Sequence, residues 1–306
     1  MKNLFLIDAN SIIHRSFHAL PPLTAADGRP VGAIYGLASI LLKLLRGEKP
    51  DYAAALFDRP EPTFRKEKYE EYKAQRPAAP DELISQIIEA HNLFEKFGIK
   101  TFEKPGFEAD DLIATLAEKF KTNPDLKITI LTGDMDTLQL VDGERVVVRA
   151  FKKGITETVI YDALAVEDRY GLKPNQMIDY KALVGDPSDN IKGVPGIGPK
   201  TATEILKKFR NIETAYEKLK EDPKLQGKLA PFKEEAILSK SLVTLEREAS
   251  IGAYDLESLA VKDNPLEVKS YFEKLGFRTL VARVEREETL GANAAQKPKK
   301  KDQRIL

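Results

Sequence analysis

Three short apolar runs in this chain each lead to an aspartate. Lys2–Ile7 (KNLFLI) runs into Asp8, Tyr52–Phe57 (YAAALF) into Asp58, and residues 128–132 (ITILT) into Gly133-Asp134-Met135-Asp136. Between them lie stretches with helical spacing. One holds Ile34, Leu37, Ala38, Leu41, Leu42 and Leu45; others cover about 81–97, closed by Gly98, and about 108–121. Uninterrupted apolar strands alternating with helices fit a parallel sheet covered on both faces, and such sheets build their sites beyond the carboxyl ends of the strands. Residues 144–161 add two strands, RVVVRA and ITETVIY, around a Lys152-Lys153-Gly154 turn. From about residue 162 the pattern becomes helical, with a soft boundary near 160–175 and helices near 201–209, 211–220, 232–248 and 264–275.

A single aspartate after a strand is ordinarily a turn former or a helix N-cap. Glu108, Asp110 and Asp111, in GFEADDLIATLAEKF, open a helix, where acidic residues favour the macrodipole. Together with Asp8, Asp58, Asp134, Asp136, Asp186 and Asp189 they would converge on one end of one sheet. Two like charges 4 Å apart repel by about 4 kcal/mol at an effective dielectric of about 20. Such a cluster needs bound cations or strongly raised pKa values. Carboxylate oxygens are hard ligands, which points to Mg²⁺ or Mn²⁺.

The stretch GDPSDNIKGVPGIGPKT, Gly185 to Thr201, joins Asp186 and Asp189 to a glycine turn that feeds the helix TATEILKKF. Glycines admit close backbone approach, and amides at a helix start bind phosphate. Arg59–Arg76 carries six basic and four acidic residues interleaved with Phe64, Tyr69 and Tyr72. The pattern fits a solvated amphipathic helix or a mobile basic element that grips phosphates and stacks on bases. Its place directly after Asp58 favours the second.

The chain has equal numbers of basic and acidic residues, 48 of each, so any nucleic-acid surface must come from segregated charge. It has no cysteine, which excludes disulfides and thiolate zinc sites and suits a cytoplasmic protein. No signal-peptide pattern is present, and the longest apolar region, 33–45, is shorter than the roughly 20 residues a bilayer requires. His14 and His18 are spaced i, i+4 but lack the glutamate of a zinc protease motif, so packing or phosphate contact is the expected role. No Ser-His-Asp arrangement suggests a covalent intermediate.

With these residues in place, the chain resembles the bacterial 5′-nuclease family, the 5′-3′ exonuclease domain of DNA polymerase I and its flap-endonuclease-like stand-alone relatives. The likeness spans about Leu4 to Arg278 and rests on LFLIDANSIIHRSFHAL, LTAADGRPVGAIYGL, FDRPEPTFRKEKYEEYKAQRP, GFEADDLIATLA, LTGDMDTLQLV and GDPSDNIKGVPGIGPKTA. It implies an α/β fold: a PIN-like twisted, mainly parallel sheet over 1–170, with a helical arch at about 59–80. A helical DNA-binding region would follow over 171–290, with a helix-three-turn-helix at about 174–209, and then a disordered lysine-rich tail over 291–306.

The resemblance assigns metal binding to Asp8, Asp58, Glu108, Asp110, Asp111, Asp134, Asp136, Asp186 and Asp189, for two Mg²⁺ ions with Mn²⁺ able to substitute. Lys73 and Arg76 match arch residues that address the scissile phosphate, with Arg65 assisting. Tyr35 matches an aromatic that stacks on a nucleobase, Tyr72 joins the DNA contacts, and Gly196, Gly198 and Lys200 would hold duplex backbone. A potassium ion would sit on the backbone at Asn190, Ile191 and Val194. The implied partner is DNA with 5′ flaps or nicks, in replication or repair, with a polymerase region in the same or another chain. The protein itself would be a monomer without membrane association. Two other readings stay open: a non-catalytic DNA-structure binding module on the same fold, and an RNA-directed PIN-like nuclease.

Overall fold

A computed structural model describes residues 1–252 and 254–295. Strand β1 (Lys2–Asp8) runs through the middle of a six-stranded sheet, with α1 (Ala9–Ala19) and α2 (Gly32–Glu48) following it. Next come β2 (Tyr52–Phe57), α3 (Phe64–Lys68), α4 (Asp81–Lys96), β3 (Lys100–Glu103), α5 (Ala109–Phe120) and β4 (Leu126–Thr132). The sheet closes with the hairpin β5 (Val146–Lys153) and β6 (Glu157–Tyr161). Strand order is β3-β2-β1-β4-β5-β6, parallel throughout except for the antiparallel β5–β6 pair. This is the expected α/β architecture, with β3 as a strand the periodicity had not marked.

Strand residues alternate cleanly between two cores. Phe5 and Ile7 of β1, with Ala53, Ala55 and Phe57 of β2, pack under α1, α2 and α4. Leu4 and Leu6, with Tyr52, Ala54 and Leu56, pack under α5 on the other side. Burial on both faces explains why these strands read as unbroken apolar runs. Because β2 and β4 flank β1 on opposite sides, the chain reverses its winding direction at β1, and the crevice beyond its carboxyl end is the switch point of the sheet.

The remaining described chain is helical: α6 (Ala163–Tyr170), α7 (Met177–Val184), α8 (Pro199–Phe209), α9 (Ile212–Glu217), α10 (Pro223–Leu229), α11 (Lys233–Val243), α12 (Pro265–Lys274) and α13 (Arg278–Ala295). A third core of Leu183, Ile191, Val194, Ala202, Leu206 and Leu242 holds α7, α8 and α11 together. The loop from α7 to α8 folds back on itself at two glycines with positive φ, Gly185 and Gly193. A Cβ on Gly193 would lie 2.3 Å from the Gly185 nitrogen, and one on Gly185 would lie 2.6 Å from the Ile191 carbonyl oxygen, so only glycine fits either place.

Two expectations need correction. The arch region is not a continuous helix: α3 has five residues, and turns follow to residue 76. The last helix reaches Ala295, so residues 291–295 are helical rather than disordered; the rest of the tail, 296–306, lies outside the described residues.

Candidate metal-dependent nuclease site

A cleft of about 480 Å³ opens at the switch point and is lined by Asp8, Asp58, Glu108, Asp110 and Asp134, with Lys73, Arg76 and Ser188 on its rim. Asp8, Asp58 and Asp134 arrive at the ends of three strands, and Glu108 and Asp110 together at the start of α5. Asp8 closes β1 and caps α1, accepting from the Ser11 amide at 3.0 Å and from the Thr132 hydroxyl at 2.6 Å. Asp58, just past β2, accepts from the Ala109 amide at 2.7 Å and so fixes the start of α5. Asp134 accepts from the Asp136 amide at 2.9 Å while its own amide donates to Thr132 Oγ1 at 2.9 Å. Capping and site building are therefore done by the same residues, which is why each aspartate alone looked like an ordinary cap.

Burial pushes the Asp8 carboxyl up to about 7, with Asp58 and Asp134 repelling it further while the Thr132 hydrogen bond opposes the rise. Asp110 is raised by burial and then by Asp8, Asp134 and Asp58; Asp134 is raised by burial against the pull of Lys181. Asp110 Oδ1 is buried without a hydrogen-bond partner. A set of crowded oxygen donors that resist ionisation, one of them unsatisfied, fits a hard divalent cation. Among the described residues no three such side chains enclose a single point by themselves.

The second group of acids sits at the edge of the cleft, paired with lysine and arginine. Lys181 bridges Asp136 and Asp186, lying 2.8 Å from the latter, and despite burial it holds the Asp186 carboxyl below its ordinary range. Lys73 Nζ is 2.8 Å from Glu108 Oε1 and 3.8 Å from Asp189 Oδ2, and Arg76 pairs with Asp189. Sequence reasoning missed Lys181; five residues before Asp186 on one helix and its turn, its spacing was the available signal. It also passed over Thr132, Asn10 and Ser11, whose polar groups orient the acids. His14, expected to pack or to contact phosphate, lines the cleft, and burial lowers its basicity.

Several predicted site residues stand elsewhere. Asp111 is fully buried and outside the cleft. Its two oxygens take the Arg65 guanidinium at 2.7 Å each and also accept from the amides of Glu108 and Glu246. Arg65, 1% exposed, is thereby removed from any DNA surface; it donates to the Leu242 and Thr244 carbonyls and ties off the end of α11. Tyr72 is 4% exposed, with its hydroxyl 3.0 Å from both Glu108 and Asp189, so it orients carboxylates rather than meeting bases. Tyr35 is half-buried on α2, edge-on to Phe277 at 5.2 Å, away from the cleft lining. Of the potassium positions, the Ile191 carbonyl accepts from the Asp186 amide at 2.8 Å and the Val194 carbonyl from the Ile197 amide at 3.0 Å, so both already carry internal hydrogen bonds. Gly196, Gly198 and Lys200 remain accessible at the start of α8, with open space around both glycines.

A switch-point crevice lined by carboxylates defines a class of α/β proteins whose site suits hard divalent cations. The family comparison agrees. Residues 3–171 match the model for the 5′-3′ exonuclease N-terminal resolvase-like domain, and residues 172–266 match the 5′-3′ exonuclease C-terminal SAM fold. The chain belongs to the 5′-3′ exonuclease family.

Among its relatives, a 5′-3′ exonuclease of Aquifex aeolicus is 39% identical over 90% of this chain and 96% of its own length. The DNA polymerase I of Caldicellulosiruptor bescii is 42% identical over 92% of this chain, which spans only 33% of that protein. A T5 5′-exonuclease with bound zinc superposes with a TM-score of 0.64 at 26% identity, covering 80% of this chain and 90% of that one. A T5 flap endonuclease in complex with DNA and metal ions shares the fold, with a TM-score of 0.67 at 22% identity over 90% and 100% of the two chains. Among the described residues no helix is long and apolar enough to cross a membrane.

Proposed function

We propose that this chain is a divalent-metal-dependent 5′-3′ exonuclease and 5′-flap endonuclease that hydrolyses DNA phosphodiesters. The observation that carries this reading is the meeting of five carboxylates, from the ends of β1, β2 and β4 and the start of α5, with the cations Lys73 and Arg76 in one cleft. Asp8, Asp58, Glu108, Asp110 and Asp134 would hold one part of the metal site, and Asp136, Asp186 and Asp189 another. Divalent cations held by these carboxylates would supply Lewis acidity toward water and the phosphodiester. Thr132 and Tyr72 keep the carboxylates aimed. Lys73 and Arg76 stabilise charge gathering on the phosphate. We take Mg²⁺ as the natural ion, and DNA with a 5′ flap or nick as the substrate.

Charge placement supports the DNA assignment. Residues 191–228, from the glycine loop through α10, hold nine basic and five acidic side chains in a chain of zero net charge. Duplex affinity should therefore fall steeply with salt, and Lys200→Ala should reduce the slope of log Kd against log salt by about 1, the contribution of one phosphate contact. An unchanged slope would remove Lys200 from the interface.

The direct test of function is a flap substrate labelled at its 5′ end, incubated with Mg²⁺ or with EDTA. A labelled product cut at the flap junction, only with metal, is the expected result. Mononucleotide release alone would leave an exonuclease without flap recognition. Binding without cutting in Mg²⁺ or Mn²⁺ would make the chain a DNA-structure binding module.

A further inference from the structure

The segment that carries Lys73 and Arg76 does not merely overhang the cleft; it is fastened to the turn that carries Asp186 and Asp189. Four contacts made by residues 73–76 reach main-chain carbonyls of that turn. The Lys73 amide donates to the Asp189 carbonyl at 3.0 Å. The Gln75 side-chain amide donates to the Pro187 carbonyl at 2.8 Å and, more loosely, to that of Ser188 at 3.4 Å. Arg76 Nε donates to the Ser188 carbonyl at 3.2 Å. One contact runs the other way: Asn190 Nδ2 donates to the Glu71 carbonyl at 2.8 Å.

The backbone is strained on both sides of this seam. Lys73 has φ 53° and Asn190 has φ 58°, and they are two of only four non-glycine residues with positive φ among the described residues. Such conformations persist where surrounding contacts over-determine them, and asparagine tolerates them best. Neither Gln75 nor Asn190 lines the cleft, and neither belongs to the carboxylate or cation sets. Gln75 is exposed, so solvent alone would satisfy its amide. Its use to hold a neighbouring carbonyl therefore calls for a positional reason.

We propose that Gln75 and Asn190 are positioning residues that clasp the basic segment to the Asp186–Asn190 turn. Through them, the phosphate-addressing cations and the second carboxylate group keep a fixed mutual distance. The consequence for catalysis rests on the nuclease reading above; the clasp itself does not. Catalysis by positioned charges loses as much as about 100-fold for displacements near 1 Å, while overall DNA affinity is spread over the whole phosphate track. Loss of the clasp should thus lower kcat and leave KM nearly alone.

The test uses Gln75→Ala and Asn190→Gly, the second chosen because glycine keeps the positive φ and removes only the donor. In protein free of DNA and metal, amide hydrogen exchange at Lys73 should quicken by about 10-fold or more in each variant. The double variant should exchange little faster than the singles, because one break already opens a shared clasp. On the flap substrate kcat should fall by roughly 10-fold with KM within about 2-fold, and Asn190→Asp, which cannot donate, should behave like Asn190→Gly. Unchanged exchange in both single variants would overturn the proposal. So would a loss of kcat with exchange unaltered, which would make these side chains direct DNA contacts. If the wild-type chain cut no DNA at all, the exchange arm would still decide the clasp, so the two failures are distinguishable.

Discussion

Asp134→Asn should cost about 1,000-fold in kcat on a flap substrate while raising the melting temperature of the metal-free protein. The two effects have opposite signs for one reason. Asp134 sits at the end of β4 beside Asp8 and Asp110, which burial also raises, its own carboxyl raised first by burial and then by Asp189 and Asp186. Without metal, its charge opposes folding, and a neutral side chain of the same shape relieves that opposition. The asparagine oxygen still accepts from the Asp136 amide, so the cap survives. With metal, the same charge is needed to hold the ion. Melting curves in EDTA and in Mg²⁺, beside single-turnover rates, read both effects. A variant that cut at near wild-type rates would remove Asp134 from the site. One that melted lower in EDTA would show that its charge supports the fold.

Asp111 is expected to behave in the opposite manner, although it is adjacent in sequence to Asp110, which we propose as a ligand. Its carboxylate and the Arg65 guanidinium satisfy one another in full burial, and both further serve main-chain groups of the α5 start and the α11 end. Removing one partner of such a pair strands the other charge away from water and costs about 3–5 kcal/mol. Asp111→Ala should lose that amount in urea unfolding, and Arg65→Met combined with Asp111→Leu should not recover it, because the Glu108 and Glu246 amides and the Leu242 and Thr244 carbonyls lose their partners as well. The folded fraction of either variant should keep its Mg²⁺-induced rise in melting temperature. If Asp111→Ala unfolded normally but lost the response to Mg²⁺, Asp111 would be a ligand after all.

The contrast between Asp110 and Asp111 shows where sequence reading reaches and where it stops. Consecutive helix residues point about 100° apart, so two adjacent acids cannot both face one cleft. That much was available from the motif GFEADDL, though which of the two turned inward was not. The strands and their terminal aspartates were legible because double burial writes an unbroken apolar run. β3 was not, because KTFE at the sheet edge buries only Phe102 fully and carries charged ends. Arg65 sits in a run of charges that looks solvated, and only the distant Leu242–Thr244 carbonyls and Asp111 reveal why it is buried. The arch at 59–80 is helical only over α3 for a related reason. Its residues 71–76 spend hydrogen-bonding groups on the Pro187–Asn190 turn, a partner more than a hundred positions away.

The place of β1 in the sheet has a further consequence, for how the protein fails when heated. Asp8 hangs from a strand with a parallel neighbour on each side and a packed core above and below, the part of a domain that opens last. Asp186 and Asp189 hang from a short turn beside α7, held by one cross-loop bridge, by Tyr72 and Gln75 of the arch segment, and by the turn's own Asn190 donating to Glu71. The two halves of the acidic set therefore belong to regions of unequal durability. Warming should dismantle the turn while the sheet is still whole, so that inactivation precedes melting and the temperature limit of the enzyme is written in a few residues of loop rather than in its core.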